Sequence, residues 1–292
     1  MSVQSAAITM VYNEAVFLPL WLDYYGKNLG YNNLYIIDHG SDDGSTTRIP
    51  GNIIKIPRTD FDDVQRVTFI NSLQKALFSY FDCVIYTDCD EFLIPHPNHY
   101  TCLGTYLKRH PHSSVVRAVG VDVVQHDLSL APVDFTQPIL PQRPYGFVTP
   151  WESKPLITRT PVTWAPGFHD CNLPSVLDEE LWLFHLKFCD LRHALARLNL
   201  TRSMKWSQQG MAFGQHQRHR DEDLLALMHT LIAEQQAEGL EQLPLTELLA
   251  NGGYRKSRHI PAPLLPPFSP AYRWVMSLFP TQLFRQVSPT TT

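Results

Sequence analysis

The string Asp88-Cys89-Asp90-Glu91 follows the short apolar run Val84–Tyr86 and precedes Phe92-Leu93-Ile94. Two carboxylates flanking one residue at a strand end can share a hard divalent cation through oxygen, leaving other positions for phosphate oxygens. Such an ion stabilises a departing diphosphate. The same acids also suit a solvated turn. Three of them between two core-forming runs are nevertheless costly unless paired or metal-bound.

Other polar groups follow other apolar runs. Asn13 and Glu14 come after Ala6–Val11, and read either as ligand contacts or as a helix cap. Asp38 ends the run Leu34–Ile37 and opens Asp38-His39-Gly40-Ser41-Asp42-Asp43-Gly44-Ser45. Its carboxylate suits the hydrogen bonds of a base or ribose, and the loop suits equally a plain turn of Asp, Gly and Ser. An EF-hand is a poorer fit, because the closing bidentate Glu is missing. His185 and Lys187 alternate on a late strand end, His185 as a further metal ligand and Lys187 facing phosphate; a lone histidine is also commonly structural. Asp170, after His169, offers a loop carboxylate for general-base work, with Glu152 as its competitor.

These residues need elements that aim them. Helix-spaced Leu18, Trp21, Leu22 and Tyr25 predict a helix stopped at Gly30. Ile53–Ile56 predicts a third strand, Val64–Tyr80 a second helix and Val84–Thr87 a fourth strand. Strand and helix thus alternate over the first 95 residues, the pattern of an α/β fold with a mostly parallel sheet flanked by helices. In such sheets ligands sit beyond the carboxyl ends of the strands, where these polar groups fall. Further on, the sequence predicts a short helix at Gly104–Arg109, a strand at Ser114–Val124, an irregular stretch from Pro132 to Pro166 holding a strand at Leu156–Thr158, a strand at Leu181–Phe184, and helices at Asp190–Leu198 and Asp221–Gln236. Tyr272–Val287 reads as a short amphipathic helix that either docks on its own domain or rests on a membrane surface.

Composition narrows the classes. The chain has 292 residues, 24 basic and 28 acidic side chains, and a net charge of −4, so it carries no sequence-wide basic footprint for nucleic acid. Its 44% hydrophobic content describes a packed protein, and 23 prolines against 14 glycines suggest ordered loops. Five cysteines without a CxxC pair indicate neither a disulfide framework nor a structural zinc site, and read as reduced thiols in a cytoplasmic setting. Met1–Val11 lacks the features of a signal peptide, and no stretch approaches the ~20 apolar residues of a membrane span, so the expectation is a soluble or peripheral protein.

Taken in order, Tyr12-Asn13-Glu14, Trp21 to Tyr25, Ile36 to Ser45 and Tyr86-Thr87-Asp88-Cys89-Asp90-Glu91-Phe92 resemble family 2 glycosyltransferases of the GT-A fold, in the branch close to family 92 whose metal motif reads D-x-D-E-F. The resemblance covers Ala6–Pro95 and continues more thinly to Lys205, where Lys154, His169 and His185-Leu186-Lys187 look like that branch's later motifs. It implies a Rossmann-like catalytic domain over 1–205, with a nucleotide-sugar half over 1–95 and an acceptor half over 96–205, followed by a helical extension over 206–292. It further implies sugar transfer from a nucleotide-diphosphate donor, UDP-linked by expectation, to a saccharide or glycolipid hydroxyl with Mn²⁺ or Mg²⁺, inverting the anomeric centre, in polysaccharide or glycoconjugate synthesis at the inner face of a membrane. By position, Asn13, Glu14, Asp38 and Asp43 would lie at the nucleoside, Asp88 and Asp90 would bind metal, diphosphate and ribose, and Asp170 would be the base. The chain departs from the commoner Glu-Asp and QxxRW patterns of that family. The rival class is a nucleotide-sugar or glycan-binding protein on the same scaffold, which needs no working base.

Overall fold

A computed structural model describes residues 3–97, 99–143, 146–148, 152–213 and 215–235. The helix expected at 272–287, and most of the extension expected over 206–292, lie outside these residues.

The first quarter alternates as the hydrophobic pattern requires. Strand β1 (Ser5–Val11) leads to helix α1 (Phe17–Leu29), then β2 (Leu34–Asp38), β3 (Asn52–Lys55), α2 (Asp63–Leu77) and β4 (Cys83–Tyr86). The side chains of β4 are all buried, as a central parallel strand demands. Helix α1 ends at Gly30, whose φ of 91° favours a residue without a Cβ. Helix α2 starts at Asp62, whose side chain accepts from the backbone N–H groups of Val64 and Gln65.

The rest of the described chain follows with β5 (Glu91–Pro95), α3 (Leu103–Arg109), β6 (Val115–Val124), α4 (Ile139–Gln142), β7 (Gly146–Val148), β8 (Ile157–Thr158), β9 (Val176–Phe188), α5 (Leu191–Ser203), α6 (Gln208–Phe213) and α7 (Asp221–Gln235). One nine-stranded sheet runs β3-β2-β1-β4-β8-β6-β9-β5, with β7 on β6. Pairing is parallel throughout β3-β2-β1-β4 and again between β6 and β9, whereas β8, β7 and β5 join antiparallel. The fold is therefore α/β, with helices along a largely parallel sheet.

Strand β9 is much longer than the apolar run Leu181–Phe184 that announces it. Its first residues, Val176 to Glu180, are exposed or only partly buried, yet Val176, Leu177 and Asp178 are held in register by β6 through Val116, Arg117 and Ala118. Backbone pairing extends the strand where side-chain alternation is silent.

The main core joins β1, β2, β4, β5, β6 and β9 to α1, with Trp21, Tyr25, Tyr86, Phe92, Trp182 and Phe184 almost fully buried. A smaller cluster of Val124, Ala194, Leu198, Leu224 and Met228 fixes α5 and α7 to the end of β6. Helix α1 also carries polar handles into the sheet. Trp21 Nε1 donates to Thr87 Oγ1 at 2.7 Å, Tyr24 OH donates to the Leu93 carbonyl at 2.7 Å, and the Leu93 N–H donates to Tyr25 OH at 3.0 Å. Buried aromatics with satisfied polar ends thus fix the two strands that flank Asp88 to Glu91. The cysteines of the described residues are all free thiols. Among the described helices none is long and apolar enough to cross a membrane.

Candidate active site

The strand order β3-β2-β1-β4 switches direction at β1, and the carboxyl ends of β1 and β4 are where an open α/β sheet forms its ligand crevice. Asn13 and Glu14 leave β1 into that crevice, Asp38 ends β2, and Asp88 follows β4.

The first two loops lock onto each other. Asn13 has a φ of 50°; its amide donates to Asp42 Oδ1 at 2.7 Å, and its Oδ1 accepts from the Asp42 N–H at 2.9 Å. Ser41 and Ser45 hydroxyls accept from the backbone N–H groups of Asn13 and Glu14. Asp38 is buried, and its two oxygens accept from the Ser41 N–H at 2.8 Å and the Thr46 hydroxyl at 2.7 Å. Asp38 therefore shapes the loop from beneath. Asp43 is exposed at the tip and accepts from the N–H and hydroxyl of Ser45. Glu14 Oε1 accepts from the Phe17 N–H at the start of α1, which makes the helix-cap reading partly true, while its Oε2 pairs with Arg197 at 3.2 Å. Arg197, on α5, also donates to the carbonyls of Asn13 at 2.5 Å and Tyr12 at 3.3 Å. Burial raises the Glu14 pKa, against the pull of Arg197.

Strand register builds the other wall. Glu91 on β5 faces His185 on β9, and His185 faces Asp122 on β6, so three polar side chains share one row across three strands. His185 Nδ1 is 2.6 Å from Asp122 Oδ1 and 3.7 Å from Glu152 Oε1, and Nε2 is 3.6 Å from Asp90 Oδ2. Burial works against a charged imidazole, but Glu152, Asp122 and Asp90 outweigh it and hold the His185 pKa well above the ordinary histidine range when no ion is bound; an ion at Nε2 would displace that proton. Burial likewise opposes ionisation of Asp90, yet His185, Lys187 and Lys154 keep its carboxyl well below the usual range.

Lys154 lies deeper. Its Nζ bonds Glu91 Oε1 and is 3.1 Å from Glu152 Oε2, with all three side chains buried. Burial raises both carboxyl pKa values; Lys154 and His185 reverse this for Glu152, which falls below its ordinary value, while Glu91 is pushed up to about 7. Glu91 Oε2 also accepts from the Asp88 N–H at 3.1 Å, so this carboxylate braces the turn. Asp88 Oδ1 is bound by Arg66 of α2 and accepts from Tyr86 OH at 2.7 Å. Both contacts fall on the same oxygen.

Asp170 lies on a loop laid over β4, with Phe168 stacked on Tyr86 at 3.8 Å. Its side chain is half exposed (51%), and the buried Arg117 tethers it at 3.5 Å while donating to the carbonyls of Ser153 and His169. Lys187 is partly buried at the strand end, where its charge acts on both Asp90 and Asp122.

The structure thus brings Asp90, His185 and Glu152 into one cluster, sets Glu14 and Lys187 at its edge, and leaves Asp38 and Asp43 within their own loop. Sequence reasoning missed Asp122, Arg117, Arg66 and Arg197. The first two carried a signal, as the charged positions of an otherwise apolar run, Val115–Val124, where burial demands partners. Arg66 and Arg197 carried none, since each meets its site across a long stretch of chain.

The cluster's donor set suits a divalent ion. Ligands about 2.1 Å from one ion lie about 3 to 3.5 Å apart, close to the 3.6 Å between His185 Nε2 and Asp90 Oδ2, which exceeds a hydrogen bond. The Asp122 contact at Nδ1 supplies the outer carboxylate that ligating histidines commonly carry. Glu91, Glu152 and His185 also approach within 4.8 Å of one another, but the ammonium of Lys154 already lies between the two glutamates. An ion therefore fits the Asp90 side of His185.

No family model matches the chain, and no curated protein matches it. Among solved structures, the mannosyltransferase PcManGT from Pyrobaculum calidifontis, in complex with GDP-mannose and Mn²⁺, is similar at 14% identity over 87% of this chain and 80% of that one, with a TM-score of 0.37.

Proposed function

We propose that the protein is a glycosyltransferase that moves a sugar from a nucleotide-diphosphate donor to an acceptor hydroxyl with the help of one divalent ion, Mn²⁺ or Mg²⁺. The observation that carries the reading is the pairing of Asp90 with His185 Nε2 at the edge of the β1/β4 crevice, with Asp122 behind the ring. The motif order from Tyr12 to Phe92 supports the same reading from the sequence side.

Asp90 and His185 would hold the ion, with the second oxygen of Asp88 serving the ion or the donor ribose. When bound, the ion offsets negative charge on the departing nucleoside diphosphate. Asn13 and Glu14 line the nucleoside side, with Asp38 and Asp43 shaping the loop behind them. Lys187 faces the diphosphate. In the transfer, the acceptor oxygen bonds to the anomeric carbon as the carbon–oxygen bond to the diphosphate breaks, and the hydroxyl proton passes to a carboxylate. Asp170 fits that last role better than Glu152, because it is accessible and Glu152 is buried against Lys154 and His185. A carboxylate base that acts directly on the attacking hydroxyl accompanies inversion. The acceptor would be a saccharide or glycolipid, and the protein would work in the cytoplasm, at a membrane where the acceptor is lipid-linked.

The test is nucleoside-diphosphate release from a panel of UDP, GDP, CDP and TDP sugars, with Mn²⁺ or after chelation. One donor should turn over, slowly to water and faster with acceptor, and Asp90→Ala should abolish release while preserving the circular dichroism spectrum. Saturable donor binding without release from any donor would replace the enzyme with a binding protein.

A further inference from the structure

We infer that Phe168 is a positioning residue: its ring, seated on the two side chains that grip Asp88, sets the place of Asp170. The inference rests on the reading of Asp170 as the base and concerns what holds that carboxylate still. Asp170 ends a short loop that closes on itself, the Ala165 N–H donating to the Asp170 carbonyl at 3.0 Å and the Phe168 N–H to the Ala165 carbonyl at 2.9 Å. Pro166 and Gly167 form the centre of that second turn, and the φ of 79° at Gly167 fits a type II turn. Phe168 follows with a φ of 62°. A bulky side chain rarely takes this left-handed conformation, and such a residue persists only where its surroundings over-determine it.

The surroundings of Phe168 are the metal-motif end of β4. Its buried ring stacks on Tyr86 with centroids 3.8 Å apart, and the Arg66 guanidinium lies 5.1 Å from its centroid. Tyr86 and Arg66 are the side chains bound to Asp88 Oδ1. From β6, the buried Arg117 donates to the His169 carbonyl at 3.0 Å and reaches Asp170 at 3.5 Å. Three consecutive residues are thus held, Phe168 by its ring, His169 by its carbonyl and Asp170 by its carboxylate. The carboxylate also accepts from the Cys171 N–H at 2.9 Å, on the same Oδ1 that faces Arg117, so its position follows the backbone that the Phe168 ring fixes. A base works only within hydrogen-bond reach of the proton it takes.

Phe168→Asn removes the ring and keeps a residue that tolerates positive φ. The measurement is steady-state nucleoside-diphosphate release to water, per folded chain, from whichever UDP, GDP, CDP or TDP sugar turns over; water then takes the acceptor's place and Asp170 its proton. Misplacement of a catalytic group lowers the rate by about 10- to 100-fold, so Phe168→Asn should lose that much in kcat with the donor KM unchanged. In the Asp170→Asn background the same substitution should cost nothing further, because Phe168 acts through Asp170. A wild-type kcat in folded Phe168→Asn overturns the inference, as does a double variant slowed by the product of the single losses. If Phe168→Asn fails to fold, Phe168→Leu, which keeps apolar bulk without a flat ring, is read by the same two criteria. An Asp170→Asn enzyme at the wild-type rate overturns the base assignment and this inference with it, leaving the glycosyltransferase reading in place. A wild type that turns over no donor overturns that reading itself, and the inference falls with it.

Discussion

His185 on β9 and Asp122 on β6 sit opposite each other in strand register, and their side chains meet at 2.6 Å with the imidazole Nδ1 toward the carboxylate. The contact fixes the ring plane, so Nε2 can point only toward Asp90. Replacing Asp122 by Asn keeps the shape but removes the charge behind the ring, and loss of such an outer partner commonly costs about 10- to 100-fold in metal affinity. Titration calorimetry with Mn²⁺ should show that weakening in Asp122→Asn; affinity equal to the wild type would mean that the ring needs no support.

Arg66 and Asp88 make a different kind of pair. The guanidinium is largely buried on α2, with Asp63, Tyr86 and Asp88 around it, and Asp88 is about one-third exposed. Breaking a fully buried pair from one side costs about 3–5 kcal/mol; with one partner part-exposed, Arg66→Met should lose about 2 kcal/mol in urea unfolding. The Arg66→Met/Asp88→Asn double variant should recover part of it, because the stranded carboxylate is gone. A double variant as unstable as the sum of the single ones would show that the two side chains do not couple.

Much of this was legible before the structure. Alternation from Ala6 to Tyr86 dictated the parallel half of the sheet, and Asp88-Cys89-Asp90 marked a strand end because acids between apolar runs need a reason. His185 was visible as a polar end to an apolar strand. What the sequence hid was depth and register. Nothing in the spacing of Glu152 and Lys154 says that Lys154 turns inward onto Glu91, and nothing near Asp38 says that Thr46 and Ser41 consume its oxygens. Those contacts depend on which strands become neighbours, and long-range pairing has no local signature. Arg197 is the extreme case, reaching Asn13 and Glu14 from 184 and 183 residues away.

Asp38 gives a prediction with a sign. Burial raises its pKa, but the hydrogen bonds from Ser41 and Thr46 outweigh this and leave it below the ordinary value. A depressed carboxyl pKa stabilises the fold above the unfolded value of about 3.9, and that stability is lost as pH falls through the folded value. Asp38→Asn should therefore cost about 1.5–3 kcal/mol at pH 7, the range for a hydrogen bond to a charged group. Thermal unfolding of both proteins from pH 7 to 3 should show the gap closing below about pH 4; a gap independent of pH would mean that the charge contributes nothing.

Gly120, in the middle of β6, tests how tightly the wall behind the site is built. A Cβ there would lie 2.3 Å from the carbonyl carbon of Glu152 and 2.5 Å from the Ser153 nitrogen, both backbone atoms that cannot rotate away. Strand β6 and the segment of Glu152 to Lys154 are otherwise joined by the Ser153 hydroxyl donating to the Ala118 carbonyl at 2.6 Å and by Arg117 to the Ser153 carbonyl. Gly120→Ala must push that segment outward, taking Glu152 from His185 and Lys154 from Glu91. Overpacking of this kind costs about 1–3 kcal/mol, and here the shift lands on the charged cluster. The expected result is a modest fall in melting temperature with a disproportionate loss of Mn²⁺ affinity, because the carboxylates that hold the His185 ring would no longer converge on it. A variant that lost stability but bound Mn²⁺ as the wild type does would show that the ion's place depends on Asp90 and His185 alone, with the Glu152 segment serving only the core.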